Sequence, residues 1–188
     1  MAAIREGNKA ALLIVDVQVG VVQEAWNMAQ VVDNINLAVE KARAGDVPVI
    51  WVQHADEELI YGSPEWQLVP QLSPAEGDWR IDKHYNSSFE ETSLDEIMAD
   101  LGIAHIILAG AATNWCIRAT AYAALDRGYD LTLIKDAHTT ETMEYRDGTI
   151  IEAEHIVREL NNAMTWLGYP GRSNRTASAG ELDFQPLK

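Results

Sequence analysis

The sequence predicts an α/β fold of three layers, in which helices cover both faces of a mainly parallel central sheet. Four short apolar runs, rich in Ile, Val and Leu, lack the alternation of polar and apolar residues that a half-exposed strand would show. Amphipathic helical patterns separate these runs, and each of these patterns stops at a glycine. Strands that alternate with helices favour a parallel sheet with right-handed crossovers, as in Rossmann-like folds.

The predicted strands follow one another at spacings that leave room for a helix between most of them. Their apolar character favours burial on both faces rather than on one. A fifth, shorter strand is predicted in the more polar segment that ends at Lys83. The strands are expected at residues 11–16, 48–53, 79–83, 105–109 and 130–135.

Four helices are predicted from residues that repeat at helical spacing. Ser93 and Glu96 form a capping-box pattern that would open the second of them, which Gly102 would close. The other three helices are expected at residues 32–44, 115–127 and 149–167, and these end at Gly45, Gly128 and Gly168.

Two stretches have no regular pattern. Residues 56–78 contain three prolines and predict a long surface loop that carries Tyr61 and Trp66. Residues 168–188 are polar and predict a tail that forms either an edge strand or an arm on a partner subunit. Leu182, Phe184 and Leu187 in this tail are expected to be exposed in a monomer, so that a partner subunit would have to cover them. We found neither a repeat nor a linker, so residues 1–188 are expected to form one domain.

Composition narrows the class of protein. A hydrophobic fraction of 47% over 188 residues suits one compact core. A net charge of −15 opposes binding to nucleic acid or to an anionic membrane surface. A single cysteine excludes an internal disulfide, and residues 1–9 carry no apolar segment typical of a signal peptide. We therefore expect a soluble cytoplasmic protein.

Cys116, the lone cysteine, lies where a buried strand runs through a turn into a helix. Unsatisfied N–H groups and partial positive charge at a helix N-terminus lower the pKa of a thiol and can hold an oxyanion. This placement favours a catalytic nucleophile over the alternative, a small apolar residue packed in the core.

Asp16 and Lys83 each end a predicted strand, and Cys116 follows another. Ligands of open α/β sheets bind beyond the carboxyl ends of the strands, so these three residues are expected to meet at one edge. Taken singly, Asp16 could be a helix cap and Lys83 a solvated charge. Their convergence with Cys116 favours a catalytic set.

The chain resembles the isochorismatase-like cysteine hydrolases, which include nicotinamidases and amidohydrolases of N-carbamoylsarcosine, ureidoacrylate and biuret. The resemblance covers residues 11–167, and three motifs carry it: LIVDVQ, KHYNSSFEETSL, and GAATNWCIRAT with the later GYDL and KDAHTT. The resemblance implies an Asp16–Lys83–Cys116 catalytic triad and an oxyanion hole formed by the N–H groups of Ala112 and Cys116. It further implies a cis peptide bond between Ala111 and Ala112.

The chain departs from the nicotinamidase pattern at the metal site. The matching region has one histidine, His54, and zinc requires three or four ligands. We therefore expect no metal and no cofactor. The resemblance implies a metal-independent hydrolase that cleaves an amide or ureide-type C–N bond of a small-molecule substrate through a thioester on Cys116. A nicotinamidase-like enzyme and a catalytically silent binding or assembly protein remain as alternatives. The resemblance also implies a homo-oligomer. Residues expected to line the substrate pocket are Gln18, Trp26, His54, Asn86, Phe89 and Trp115.

Overall fold

The computed structural model describes residues 4–185 and has the predicted three-layer α/β/α architecture. Five helices alternate with the strands of a central sheet, and a small hairpin lies outside it. The strands are β1 Lys9–Val15, β2 Val49–His54, β3 Trp79–Lys83, β4 Ile103–Ala111, β5 Asp130–Thr139, β6 Met143–Glu144, β7 Ile150–Ile151 and β8 Asn174–Ala177. The α-helices are α1 Val19–Val22, α2 Met28–Ala44, α3 Leu94–Asp100, α4 Arg118–Asp126 and α5 Ala153–Trp166.

The central sheet has six strands in the order β3-β2-β1-β4-β5-β8, and every neighbouring pair is parallel. The chain moves outward from β1 to β3 on one side and then returns to add β4 on the other. This reversal beside β1 creates a crevice at the carboxyl ends of β1 and β4, where α/β sheets bind ligands.

The core consists of two apolar clusters, one on each face of the sheet. Leu12 and Ile14 of β1 point into the cluster beneath α2. Leu13 and Val15 point into the cluster beneath α3, α4 and α5. All four side chains are almost fully buried, which explains why β1 is an unbroken apolar run rather than an alternating one.

Three helices begin at residues other than those predicted, and the short helix α1 is absent from the prediction. The helix predicted from residue 32 begins at Met28. The helix predicted from residue 149 begins at Ala153, because Ile150–Ile151 pairs with Met143–Glu144 as an antiparallel hairpin. The helix predicted from residue 115 begins as a π-helix, Thr113–Ile117, before α4 starts. The spacing of apolar residues alone could not distinguish the short strand, or the wider turn of the π-helix, from the first turn of an α-helix.

The predicted capping box at Ser93 is wrong. The Ser93 side chain makes no capping hydrogen bond, and its backbone is not extended as a capping residue requires (φ −82°, ψ 7°). Thr92 takes its place: its hydroxyl accepts the N–H of Leu94 at 3.3 Å and donates to the carbonyl of Ser88 at 2.6 Å.

The C-terminal tail packs on its own chain. Asn174–Ala177 forms the edge strand beside β5, and the side chain of Leu182 is buried in the cluster beneath α2. Phe184 packs partly against the same cluster. The expectation that Leu182 and Phe184 need a partner subunit to cover them is therefore wrong, and Leu187 lies outside the described residues. Within residues 4–185, no helix has the length and apolar character to cross a bilayer.

Candidate active site

The sheet brings Asp16, Lys83 and Cys116 together at its carboxyl edge, as their positions in the sequence predict. Asp16 directly follows β1, Lys83 is the last residue of β3, and Cys116 lies in the π-helix after β4. The Nζ atom of Lys83 lies 2.7 Å from Oδ2 of Asp16 and 3.4 Å from Sγ of Cys116. The ammonium thus bridges the carboxylate and the thiol.

Gly110 allows β4 to pass close enough to β1 for this meeting. Its φ is +126°, and a Cβ atom there would lie 2.0 Å from the carbonyl oxygen of Val15. Only glycine tolerates both the positive φ and the contact. The same close approach places the segment that carries Cys116 beside Asp16, whose own φ is also positive at 52°.

Burial dominates the electrostatics of Asp16 and Lys83. Their side chains are 2% and 0% exposed, respectively. Burial raises the pKa of the Asp16 carboxyl above its ordinary value, whereas the neighbouring Lys83 ammonium and a hydrogen bond with Cys116 oppose that rise. Asp16 is therefore a stronger base than a solvated aspartate.

The thiol of Cys116 is not activated in the way that its helix position predicts. Burial raises the pKa of the thiol to about 12, and the negative charge of Asp16 adds to that rise while Lys83 opposes it. The expectation of a lowered pKa is wrong, because desolvation and a neighbouring carboxylate outweigh the partial charge of a helix start. Cys116 rests as a neutral thiol.

The turn that carries Cys116 is held by its backbone and by a buried histidine. The Ala111–Ala112 peptide bond is cis, as the resemblance implies. The Ala112 carbonyl accepts the N–H groups of Trp115 at 3.1 Å and of Ile117 at 3.2 Å. Thr113 Oγ1 lies 2.9 Å from Nδ1 of His138.

His138 is an anchor for this turn that sequence reasoning missed. Its Nε2 lies 3.0 Å from Oδ1 of Asn161, so the ring connects α5 with the start of the π-helix. Burial lowers the pKa of His138 to about 4 and keeps the ring neutral. A lone histidine at a strand end gives no signal in the sequence for such a contact.

Gln18 and His54 form a rigid pair beside the triad. The amide nitrogen of Gln18 donates to the carbonyls of His54 at 3.0 Å and Trp66 at 2.8 Å, and its oxygen accepts the N–H of His54 at 2.8 Å. The His54 ring has its Nδ1 3.3 Å from Lys83 Nζ and its Nε2 2.9 Å from Asp56. These two residues lie at the site, with their polar atoms engaged by protein groups.

The other residues expected in the pocket are scattered. Trp115, 54% exposed, lines a cavity of about 400 Å³ together with Ala112. Trp26 lines a different cavity, of about 250 Å³, which His138 also borders. Phe89 is buried in the core and stacks on Tyr129, while Asn86 is exposed. Two further residues, Val21 and Thr140, line the Trp115 cavity and were not predicted to do so, although Thr140 ends the KDAHTT motif.

The His54 region does not assemble the donor set of a metal site. Across residues 4–185, no three side chains of His, Cys, Asp or Glu are grouped so that they could hold a metal ion. The ring of His54 faces a cation, Lys83, on one side and a carboxylate, Asp56, on the other.

Comparison with known proteins decides the family. Residues 10–163 match the model of the isochorismatase domain. The chain belongs to the isochorismatase family. The resemblance read from the three sequence motifs is thereby confirmed.

Two proteins to which this chain is similar are named as hydrolases. The ureidoacrylate amidohydrolase RutB of Klebsiella pneumoniae is 32% identical over 139 residues, which cover 57% of this chain and 59% of that protein. The streptothricin hydrolase of Streptomyces noursei is 29% identical over 137 residues, which cover 69% of this chain and 54% of that protein. The matched regions thus span little more than half the length of either relative.

A solved structure supports the same assignment over more of the chain. The crystal structure of an isochorismatase from Pseudomonas putida superposes with a TM-score of 0.81 at 27% identity. The superposition covers 93% of this chain and 90% of the other. The isochorismatase-family fold therefore extends through nearly all of the described residues.

Proposed function

We propose that this isochorismatase-family protein is a metal-independent cysteine hydrolase that cleaves a small amide or ureide-type C–N bond. One observation carries the proposal: the Lys83 ammonium lies 2.7 Å from the Asp16 carboxylate and 3.4 Å from the Cys116 thiol, at the sheet edge where α/β folds bind ligands. A base, a nucleophile and a cation within contact of one another are the parts that acyl transfer requires.

The first half of the reaction forms a thioester. The Cys116 sulfur attacks the carbonyl carbon while its proton passes to Asp16, and the carbonyl oxygen becomes an oxyanion held by the N–H groups of Ala112 and Cys116. Asp16 then gives the proton to the leaving nitrogen as the C–N bond breaks, and an amine or ammonia departs.

The second half of the reaction restores the enzyme. A water molecule loses a proton to Asp16 and attacks the thioester carbon, and the new oxyanion occupies the same hole. The C–S bond then breaks, and the proton returns from Asp16 to the sulfur. Throughout both halves, the Lys83 ammonium holds the Asp16 carboxylate in place and stabilises negative charge on the sulfur.

The raised pKa values of Cys116 and Asp16 indicate at which step the thiol proton moves to Asp16. A thiol with a pKa of about 12 is neutral before attack. Buried Asp16, a stronger base than a solvated aspartate, takes the proton as the carbon–sulfur bond forms. Very little thiolate therefore exists before substrate occupies the site, which slows side reactions of Cys116.

A cavity beside the turn that carries Cys116 supports a small substrate, although its lining includes none of Asp16, Lys83 and Cys116. That cavity measures about 400 Å³ and is bordered by Ala112 and Trp115. It has room for a small molecule and none for a folded polypeptide. The names of the two relatives, an amidohydrolase and a hydrolase, are in keeping with a C–N bond as the target.

The test is a panel of small amides and ureides that is scored for release of ammonia or amine. We expect Cys116→Ala to abolish turnover and to lose the acyl adduct that intact-mass analysis detects on the wild-type protein after acid quench. His155→Asn, an exposed position on α5, serves as the control. Turnover by Cys116→Ala, or a panel that yields neither product nor adduct, would contradict the proposal and favour a binding protein.

We propose in addition that the protein acts as one domain over residues 1–188, in the cytoplasm and as a homo-oligomer. A free cysteine at the site suits a reducing compartment. Large apolar side chains remain at the surface, among them Trp166 at 81% and Ile150 at 59% exposure, and association would cover them. Sedimentation equilibrium at low micromolar concentration is the test, and a strictly monomeric mass would contradict it.

A further inference from the structure

The Lys83 ammonium has one contact that the proposed reaction does not use. A protonated lysine has three N–H donors and no acceptor. Three acceptors surround it: Asp16 Oδ2 at 2.7 Å, His54 Nδ1 at 3.3 Å and Cys116 Sγ at 3.4 Å. Because the Lys83 side chain is fully buried, these protein atoms take the place of water.

The contact fixes the tautomer of His54. Since Lys83 can only donate, Nδ1 of His54 must present its lone pair, and the ring hydrogen resides on Nε2. That hydrogen points at Asp56 Oδ2, 2.9 Å away. A continuous chain of donors therefore runs from Lys83 through His54 to Asp56.

Asp56 is itself held rigidly. Its Oδ1 accepts the N–H groups of Glu58 at 2.8 Å and Leu59 at 2.7 Å. The Leu59 N–H and then the His54 ring hold the pKa of Asp56 below its usual range. An ionised carboxylate in a fixed turn sets the rotation of the His54 ring.

The backbone places His54 against Lys83. The two are register partners at the ends of β2 and β3, so their side chains leave the sheet side by side. The Gln18 amide oxygen accepts the N–H of His54 at 2.8 Å, and its nitrogen donates to the carbonyl of His54 at 3.0 Å. Gln18 lies two residues after Asp16, so the segment that carries the base also fixes this neighbour of Lys83.

We propose that His54, oriented by Asp56, is a positioning residue that accepts one Lys83 hydrogen and thereby directs the other two to Asp16 and Cys116. This inference rests on the proposed function. Sulfur is a weak acceptor. Without His54, the buried ammonium would have an unsatisfied donor and would turn away from the thiol to find a partner. With both ring nitrogens engaged, His54 is not a substrate ligand.

The experiment compares His54→Asn, which keeps an acceptor oxygen close to the Nδ1 position, with His54→Leu, which has no acceptor. We expect His54→Leu to lower kcat about 10- to 100-fold with little change in KM, and His54→Asn to recover most of that loss. Asp56→Ala should cost less than His54→Leu and should add nothing in the His54→Leu background. The same two substitutions at the exposed His155 are the matched controls, with thermal unfolding to verify the fold.

Three results would overturn the proposal. The first is wild-type kcat in His54→Leu, the second is equal impairment of Asn and Leu variants that are both folded, and the third is a loss confined to KM. If His54→Leu does not fold, Asp56→Ala and His54→Asn still decide the question: a loss of kcat in folded Asp56→Ala supports it, and wild-type kcat there overturns it.

A second readout requires no substrate. Alkylation of Cys116 by iodoacetamide should be several-fold slower in His54→Leu than in wild type or His54→Asn, because a misdirected ammonium stabilises the thiolate less. That difference should vanish in the Lys83→Ala background. If no amide is hydrolysed and this pattern holds, the proposed function fails while the positioning role stands. Equal or faster alkylation in His54→Leu overturns the positioning role.

Discussion

The thiol of Cys116 should react slowly with alkylating agents in the absence of substrate, in contrast to a catalytic cysteine that is already ionised in the free enzyme. At pH 7.5 a thiol with a pKa of about 12 is ionised to about 3 × 10⁻⁵, compared with about 0.1 for an ordinary cysteine. A more basic thiolate is intrinsically more nucleophilic, which recovers about 40-fold of that difference. The net expectation is alkylation on the order of 10²-fold slower than that of a cysteine peptide.

The assay follows iodoacetamide adducts by intact mass between pH 7 and 10. Because the thiol titrates near pH 12, the rate should rise about tenfold for each pH unit across this range and should not level off. Steric protection would slow the reaction at every pH but would leave this slope unchanged. A plateau with a midpoint below pH 9 would refute the reasoning.

Asp16→Asn is the matched variant, since it removes the negative charge that raises the thiol pKa and leaves Lys83 in place. Loss of one neighbouring charge lowers the pKa by about 1 to 3 units, which corresponds to alkylation about 4- to 40-fold faster after the change in nucleophilicity. The same variant should lose amide turnover, because an amide cannot accept the proton. Faster turnover together with faster alkylation would contradict the role of Asp16 as the base.

The remaining predictions concern stability and metal. Burial lowers the pKa values of His105 and His138 to about 4, below their ordinary value of 6.5, so the unfolded chain binds more protons. Both neutral rings therefore stabilise the fold above pH 6.5, and this stabilisation, up to about 3 kcal/mol each, is lost as the pH falls toward 4. Urea unfolding at pH 7.5 and 4.5 measures it, and equal stabilities would contradict it. Gly110→Ala should cost about 3 kcal/mol or more, because the new Cβ would meet the Val15 carbonyl at 2.0 Å at a positive φ. Gly180→Ala, which meets nothing within 4 Å, is its control, and similar melting temperatures for the two would count against the packing argument. Prolonged dialysis against a strong chelator should leave activity unchanged, because Lys83 and Asp56 occupy the polar atoms of His54; a loss restored by zinc, manganese or iron would show a metal at this site.

Local sequence pattern was sufficient to predict the architecture and the meeting of three candidate site residues at one edge of the sheet. The apolar runs of β1, β2, β4 and β5 are continuous because both faces of the sheet are covered, and this leaves a clear signal in the sequence. In a parallel sheet, moreover, residues that end different strands emerge at one edge. Asp16, Lys83 and Cys116 could therefore be placed together before any distance was known.

Features that depend on several distant segments left no such signal. The hairpin of Met143–Glu144 and Ile150–Ile151 replaces the first turn of a predicted helix, because cross-strand pairing competes with helical spacing. Leu182 and Phe184 pack on the cluster beneath α2, although the polar tail around them predicted exposure. Packing partners far along the chain, rather than local composition, determine both outcomes.

The electrostatics of the site is the property for which sequence and structure differ most clearly. Position at a helix start predicted an acidic thiol, yet burial and the Asp16 carboxylate make the thiol of Cys116 more basic than usual. The contact between His54 and the third Lys83 hydrogen could not be predicted from the sequence either, because His54 meets Lys83 only through the register of β2 with β3. Residue types and their order along the chain indicate which groups come together at the candidate site. The burial of these groups and the orientation of their side chains arise only when the whole sheet assembles. Both determine the proton affinities of the groups and the atoms that they contact.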